Sequence, residues 1–194
     1  MFMDRDRRLS AFHEAGHVVA GVVLGLPVEY ATAQPVPATV AGRLAEGGVA
    51  VRECDPAARP LVLALAIRDG HSCNDGEGVH GVQDELAHET DDAVFHAAVY
   101  LRAGDIAEVE AGGGENCRDD NELLRTLIGE MARRETGLRD WTANLTVFNR
   151  LADLVESKTT ALLETHWASV ELVAAVLRDR DLCREDIDAL SLPT

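Results

Sequence analysis

The chain has 194 residues, 46% of them hydrophobic and 27% charged, and a net charge of -16 from 34 acidic and 18 basic side chains. That length and mixture suit one soluble globular domain with a proper core. The acid excess repels nucleic acid and anionic membrane, and the nearest thing to a basic patch, Arg5-Asp6-Arg7-Arg8, is short and diluted by acid, so no nucleic-acid partner is expected.

The longest apolar run covers residues 18–26. A membrane span needs about 20, so none is expected, and the first residues lack an apolar signal core. Cys54, Cys73, Cys117 and Cys183 lie far apart with no Cys-x-x-Cys pair. That pattern fits reduced thiols in a cytoplasmic protein.

In chain order, residues 4–25 read as a helix capped by Asp4. Its apolar stripe is Leu9, Phe12, Ala15, Gly16, Val19, Ala20 and Val23, and Gly25 and Pro27 stop it. Alternation at Val28, Tyr30 and Thr32 predicts a short strand, and residues 47–53 a second. Residues 59–70 read as a helix. The Gly-, His- and acid-rich stretch 70–90 reads as a loop, followed by a helix starting near Asp84 or Asp91. Residues 91–112 are helical, with Gly104 a candidate kink, and the glycines at 112–114 read as a connector. Residues 119–137 form a helix ended by Gly137. Residues 140–180 form one long helix or two, and 182–190 a short last one. With no repeats and no obvious linker, residues 1–194 are expected to be a single domain. The fold class expected is mainly α, with a small β-sheet near the first helix.

Within that first helix, His13 and His17 stand four residues apart with Glu14 between them. Positions i and i+4 share a helix face, so both imidazoles can reach one metal at the ~2.0–2.1 Å of zinc–nitrogen bonds. Glu14 projects beside them, placed to act as a base without being a ligand. Buried without partners, these polar groups would each cost roughly 1–3 kcal/mol. A metal ion partners them at once; a half-exposed helix face with ordinary hydrogen bonds is the plainer alternative.

A catalytic zinc site takes three protein ligands. A third histidine six residues after the second is excluded, because Val23 stands there. Asp120 lies on the line of an inward stripe formed by Leu124, Leu127, Ile128 and Met131. On those residues alone, Asp119 and Asp120 as simple helix-start residues is the simpler reading.

Taken together, the chain resembles the peptidase domain of FtsH-type ATP-dependent zinc metalloproteases. "AFHEAGHVVAGVVLG" is similar to that family's signature helix, and "LPVEYATAQP" to the strand after it. "YLRAGDIAEVEAG", "ENCRDDNELLRTL" and the C-terminal residues 161–190 are similar, in order, to its later segments. The resemblance implies a zincin-like fold, Zn2+ held by His13, His17 and Asp120, and Glu14 as catalytic base. It implies cleavage of peptide bonds in unfolded or flexible polypeptides. The sequence has no Gly-x-x-x-x-Gly-Lys-Ser/Thr phosphate loop. The expected activity is therefore ATP-independent, or fed by a separate ATPase or adaptor; a homo-oligomeric ring is the family's arrangement. The rival function is a catalytically idle protein-interaction or regulatory module of the same fold. The presence of Glu14 favours the enzyme, since a purely structural site has no use for a base.

Substrate is expected as an added strand along residues 28–34, provided that strand is a sheet edge. His71, Cys73, His80, His88 and His96 fit no metal cage by spacing and read as a solvated loop. Trp141 and Trp167 read as packing residues.

Overall fold

The computed structural model describes residues 2–34, 36–37, 44–45, 48–52, 55–68, 78–114, 118–138 and 145–190. Among these the chain is mainly helical with a small antiparallel sheet. The described helices are α1 (Phe2–Leu24), α2 (Arg59–Arg68), α3 (Gly78–His88), α4 (Asp91–Glu110), α5 (Arg118–Thr136), α6 (Leu145–Thr165), α7 (Trp167–Asp179) and α8 (Arg184–Asp188), with four short strands after α1 and a fifth between α7 and α8. The strands are β1 (Val28–Thr32), β2 (Val36–Pro37), β3 (Leu44–Ala45), β4 (Gly48–Val51) and β5 (Leu182–Cys183). No single described helix is long and apolar enough to cross a membrane.

The residues group into two compact units. The first holds residues 1–52, 103–116 and 159–194; the second holds 53–102 and 117–158. Helices α4 and α6 each contribute to both.

The first unit is built on α1. Ala11, Ala15, Val18, Val19 and Ala20 are fully buried, whereas Val23, placed on the inward stripe by the sequence, is exposed. Its partners in the core include Val170, Val173, Ala174 and Leu177 of α7 and Leu163 of α6. Trp167 packs as expected, its ring stacked 5.9 Å from Phe12. Small residues let α4 come close on another side. A Cβ added at Gly16 would stand 2.3 Å from the Ala103 carbonyl oxygen and 2.8 Å from the Ala107 Cβ. Any side chain at residue 16 would therefore wedge the two backbones apart.

The sheet order is β4-β1-β5. Strand β1 is its middle strand, with Thr32 opposite Gly48 on one side and Tyr30 opposite Cys183 on the other. The condition for an added substrate strand, a free edge along β1, is therefore not met at Tyr30 and Ala31: β5, within residues expected to be wholly helical, pairs with them. Asp181 locks the arrangement. Its carboxylate accepts from Tyr30 Oη at 2.6 Å and Thr32 Oγ1 at 2.5 Å. Those two hydroxyls, Thr32 foremost, hold the Asp181 pKa below the usual carboxylate range.

In the second unit α2 packs on α3 and α5. Glu130 of α5 is buried, and Arg133 grips both its oxygens at 2.8 Å. Arg134 donates to the same carboxylate at 2.7 Å, to Asp91 at 2.6 Å and to the Leu86 carbonyl at 2.6 Å. One guanidinium thereby ties the end of α3 and the start of α4 to α5.

Further departures from the sequence reading have local causes. Helix α3 starts at Gly78, ahead of the Asp84 start that the sequence offered, so it takes in part of the stretch read as loop; Val82 and Leu86 are fully or almost fully buried there, and that apolar content outweighs the flanking glycines. Helix α4 runs unbroken through Gly104. Of the stretch 140–180, residues 140–144 lie outside the described residues and the rest holds two helices, Leu145–Thr165 and Trp167–Asp179, bent by 78° at His166. Helix α1 begins at Phe2, so Asp4 lies within it rather than at its cap. Gly137, with φ of 70°, ends α5 as expected.

Candidate metal centre

His13, Glu14 and His17 are all buried, at 5–6% exposure, on the innermost stretch of α1. Their helix brings the two imidazoles together as the i, i+4 spacing requires. The Nε2 atoms face each other at 3.1 Å, and the rings meet edge to face with 79° between their planes. Two nitrogens on a tetrahedral ion at ~2.0–2.1 Å stand about 3.3 Å apart. The pair is therefore close to a chelating geometry.

Asp120, half-buried, belongs with His13 and His17 to a group that could hold a metal ion. Two imidazole nitrogens and one carboxylate oxygen form a donor set that suits zinc. Helix α5 begins at Arg118, which places Asp119 and Asp120 inside the first turn and not at the cap. A carboxylate there still complements the helix dipole. Of the predicted inward stripe Leu124, Leu127 and Ile128 are buried, and Met131 is half-buried.

Gly104 leaves the space beside the imidazoles open. A Cβ at that position would come 2.4 Å from His17 Nε2 and 2.8 Å from His13 Nε2. The glycine that the sequence reading took for a kink is thus a site of close approach. The residues of the first unit fit a divalent ion on two counts: converging nitrogens, and a cradle that a methyl group would fill.

Two more carboxylates belong to the site. Helix α4 carries Asp105, 1% exposed, and Glu108, 8% exposed. His13 Nδ1 lies 3.5 Å from Glu108 Oε2 and 3.9 Å from Asp105 Oδ1. The sequence reading passed over both. The signal was there: Asp105-x-x-Glu108 is set among Ala103, Ile106 and Ala107, small and apolar residues that mark a buried helix face.

His88 is exposed and His96 half-buried, and neither joins a three-ligand group among the described residues. His71, Cys73, Cys54, Cys117 and Trp141 lie outside the described residues, and His80 stands in α3 without a described side chain. Cys183 is a free, exposed thiol.

No protein-family model matches the chain, and comparison with curated proteins found no match.

Proposed function

We propose that the chain is a zinc metallopeptidase of the FtsH type, cutting peptide bonds in unfolded or flexible polypeptides. The observation that carries this reading is the 3.1 Å approach of His13 Nε2 and His17 Nε2 on the helix turn that also holds a buried Glu14, with Asp120 as the carboxylate of the same candidate group. His13, His17 and Asp120 would hold the ion. Zinc bound there supplies Lewis acidity, polarising a carbonyl and lowering the pKa of a water toward about 7.

The chain's own work lies in Glu14. Its carboxylate takes the proton of the attacking water and returns it to the leaving amine. Burial of Glu14 keeps bulk water from competing for that proton. Because β1 is paired on both sides over Tyr30 and Ala31, those two residues offer no free edge to an added substrate strand. The substrate class, unfolded or flexible polypeptide, is what the resemblance to the FtsH-type peptidase domain implies.

The test uses zinc-loaded protein and a denatured, fluorescently labelled polypeptide. Wild type is expected to cleave it while sparing the folded form. Glu14→Gln is expected to retain zinc and lose roughly 10²- to 10⁴-fold in rate. Zinc binding by wild type without cleavage would instead support an idle interaction module. Equal rates for wild type and Glu14→Gln would remove Glu14 from the chemistry.

A further inference from the structure

We propose that the turn closing α4 positions the metal centre. Gly113 seats the Glu108 carboxylate so that, with Asp105, it fixes the proton of His13 on Nδ1. Gly113, Glu108 and Asp105 are positioning residues, acting through His13. The proposal deepens the metal-centre reading and rests on it for one of its two readouts.

The turn is the first part of the argument. Gly112 has φ of 88°, its N–H donates to the Val109 carbonyl at 2.9 Å, and the Gly113 N–H donates to the Glu108 carbonyl at 2.9 Å. This is a Schellman closure, in which the chain folds back over the last helical turn. Folding back brings residue 113 onto the Glu108 side chain. A Cβ there would lie 2.7 Å from Glu108 Cγ, 2.9 Å from the Glu108 carbonyl oxygen and 3.0 Å from Oε1, so a side chain at residue 113 loads both the turn and the carboxylate, and Glu108→Asp is the variant that reads the carboxylate alone. One carboxylate oxygen thus rests against Gly113 while the other faces His13 Nδ1 at 3.5 Å. A methyl group at 113 would push the carboxylate off that position.

The second part concerns the imidazole. A neutral histidine carries its proton on one nitrogen, and the partner of the other nitrogen decides which. At 3.5 and 3.9 Å the contacts with Glu108 and Asp105 are electrostatic rather than settled hydrogen bonds. Two carboxylates on the Nδ1 side favour the proton there. That leaves the Nε2 lone pair of His13 on the side of His17 Nε2, 3.1 Å away, where the ion would be held. A ligand held in the right tautomer loses less on binding an ion, and such outer partners are commonly worth 10- to 100-fold in affinity.

The experiment reads two quantities on full-length protein: Zn2+ affinity by chelator competition, and the imidazole nitrogen resonances of His13 in metal-free protein. Glu108→Gln, Glu108→Asp and Gly113→Ala are expected to weaken Zn2+ roughly 10- to 100-fold. All three should shift His13 from the Nδ1–H form. Glu108→Asp keeps the charge but retracts it, so it reads the seating without altering the turn. In the Glu108→Gln background, Gly113→Ala should change affinity less than about twofold, because both act through one contact. His13 resonances unchanged in Glu108→Asp and Glu108→Gln would overturn the proposal, as would full additivity of Gly113→Ala with Glu108→Gln. If Zn2+ affinity proves indifferent to His17→Ala and Asp120→Ala, the metal-centre reading fails. The resonances of the metal-free protein then still decide the tautomer claim.

Discussion

Two buried carboxylate clusters in this protein are satisfied in different ways. In the second unit, Glu130 is held at both oxygens by Arg133 and again by Arg134, whose remaining donors go to Asp91 and Leu86. In the first, Asp105 and Glu108 face an imidazole whose other nitrogen points at a second imidazole. A carboxylate saturated by guanidinium has its hydrogen-bonding capacity spent on holding helices together. A carboxylate aimed at histidine orients a group that still has a lone pair to offer. The first arrangement is architecture; the second prepares a ligand.

This contrast can be broken from either side. The largest stability effect is expected at Glu130. Glu130→Gln removes the negative partner of two arginines and should cost about 3–5 kcal/mol in a denaturant titration, with Zn2+ affinity unchanged. Loss of zinc binding without loss of stability would show that Glu130 is not merely structural.

Gly104→Ala is expected to do the reverse. The added methyl displaces the imidazole tips, which are side-chain ends and can move, so the fold should survive. Zn2+ affinity should fall roughly 100-fold, because ring nitrogens pushed out of line no longer converge. Calorimetric Zn2+ titration beside circular dichroism checks both halves; wild-type affinity would remove Gly104 from the cradle.

The smallest effect belongs to Asp181, which joins neither cluster. Its pKa is held down, chiefly by the Thr32 hydroxyl and then by Tyr30, so the folded state binds that proton less readily than the unfolded chain. Its stabilisation is therefore complete above the unfolded value of about 3.9 and disappears as pH falls toward the lower folded value. Asp181→Asn should cost about 1–2 kcal/mol at pH 7, allowing for solvent screening at this partly exposed site. The gap between variant and wild type should narrow below about pH 4. A gap independent of pH would assign the effect to something other than the charge.

How much of this was legible in the sequence follows from the range of each signal. The i, i+4 histidines and the stripe after Asp120 are local periodicities, and a helix turns them directly into geometry. The mainly helical content was legible for the same reason. What the sequence could not show was set by distant segments. Strand β1 became a middle strand only because Leu182–Cys183 pairs with it from 150 residues away. Gly104 and Gly16 have meaning only once α1 and α4 touch, and nothing local distinguishes a close-approach glycine from a kink. The pairing of Asp105 and Glu108 with His13 depends on the same contact. Helix α3 was obscured because its glycines and histidines resemble loop composition.

The central claim is that one divalent ion sits on His13, His17 and Asp120. The most direct test is the metal content, by elemental analysis, of purified wild type beside His17→Ala and Asp120→Ala, each loaded with Zn2+ and desalted. The account predicts close to one zinc per wild-type chain and a large deficit in both variants. Equal zinc in wild type and Asp120→Ala would contradict it.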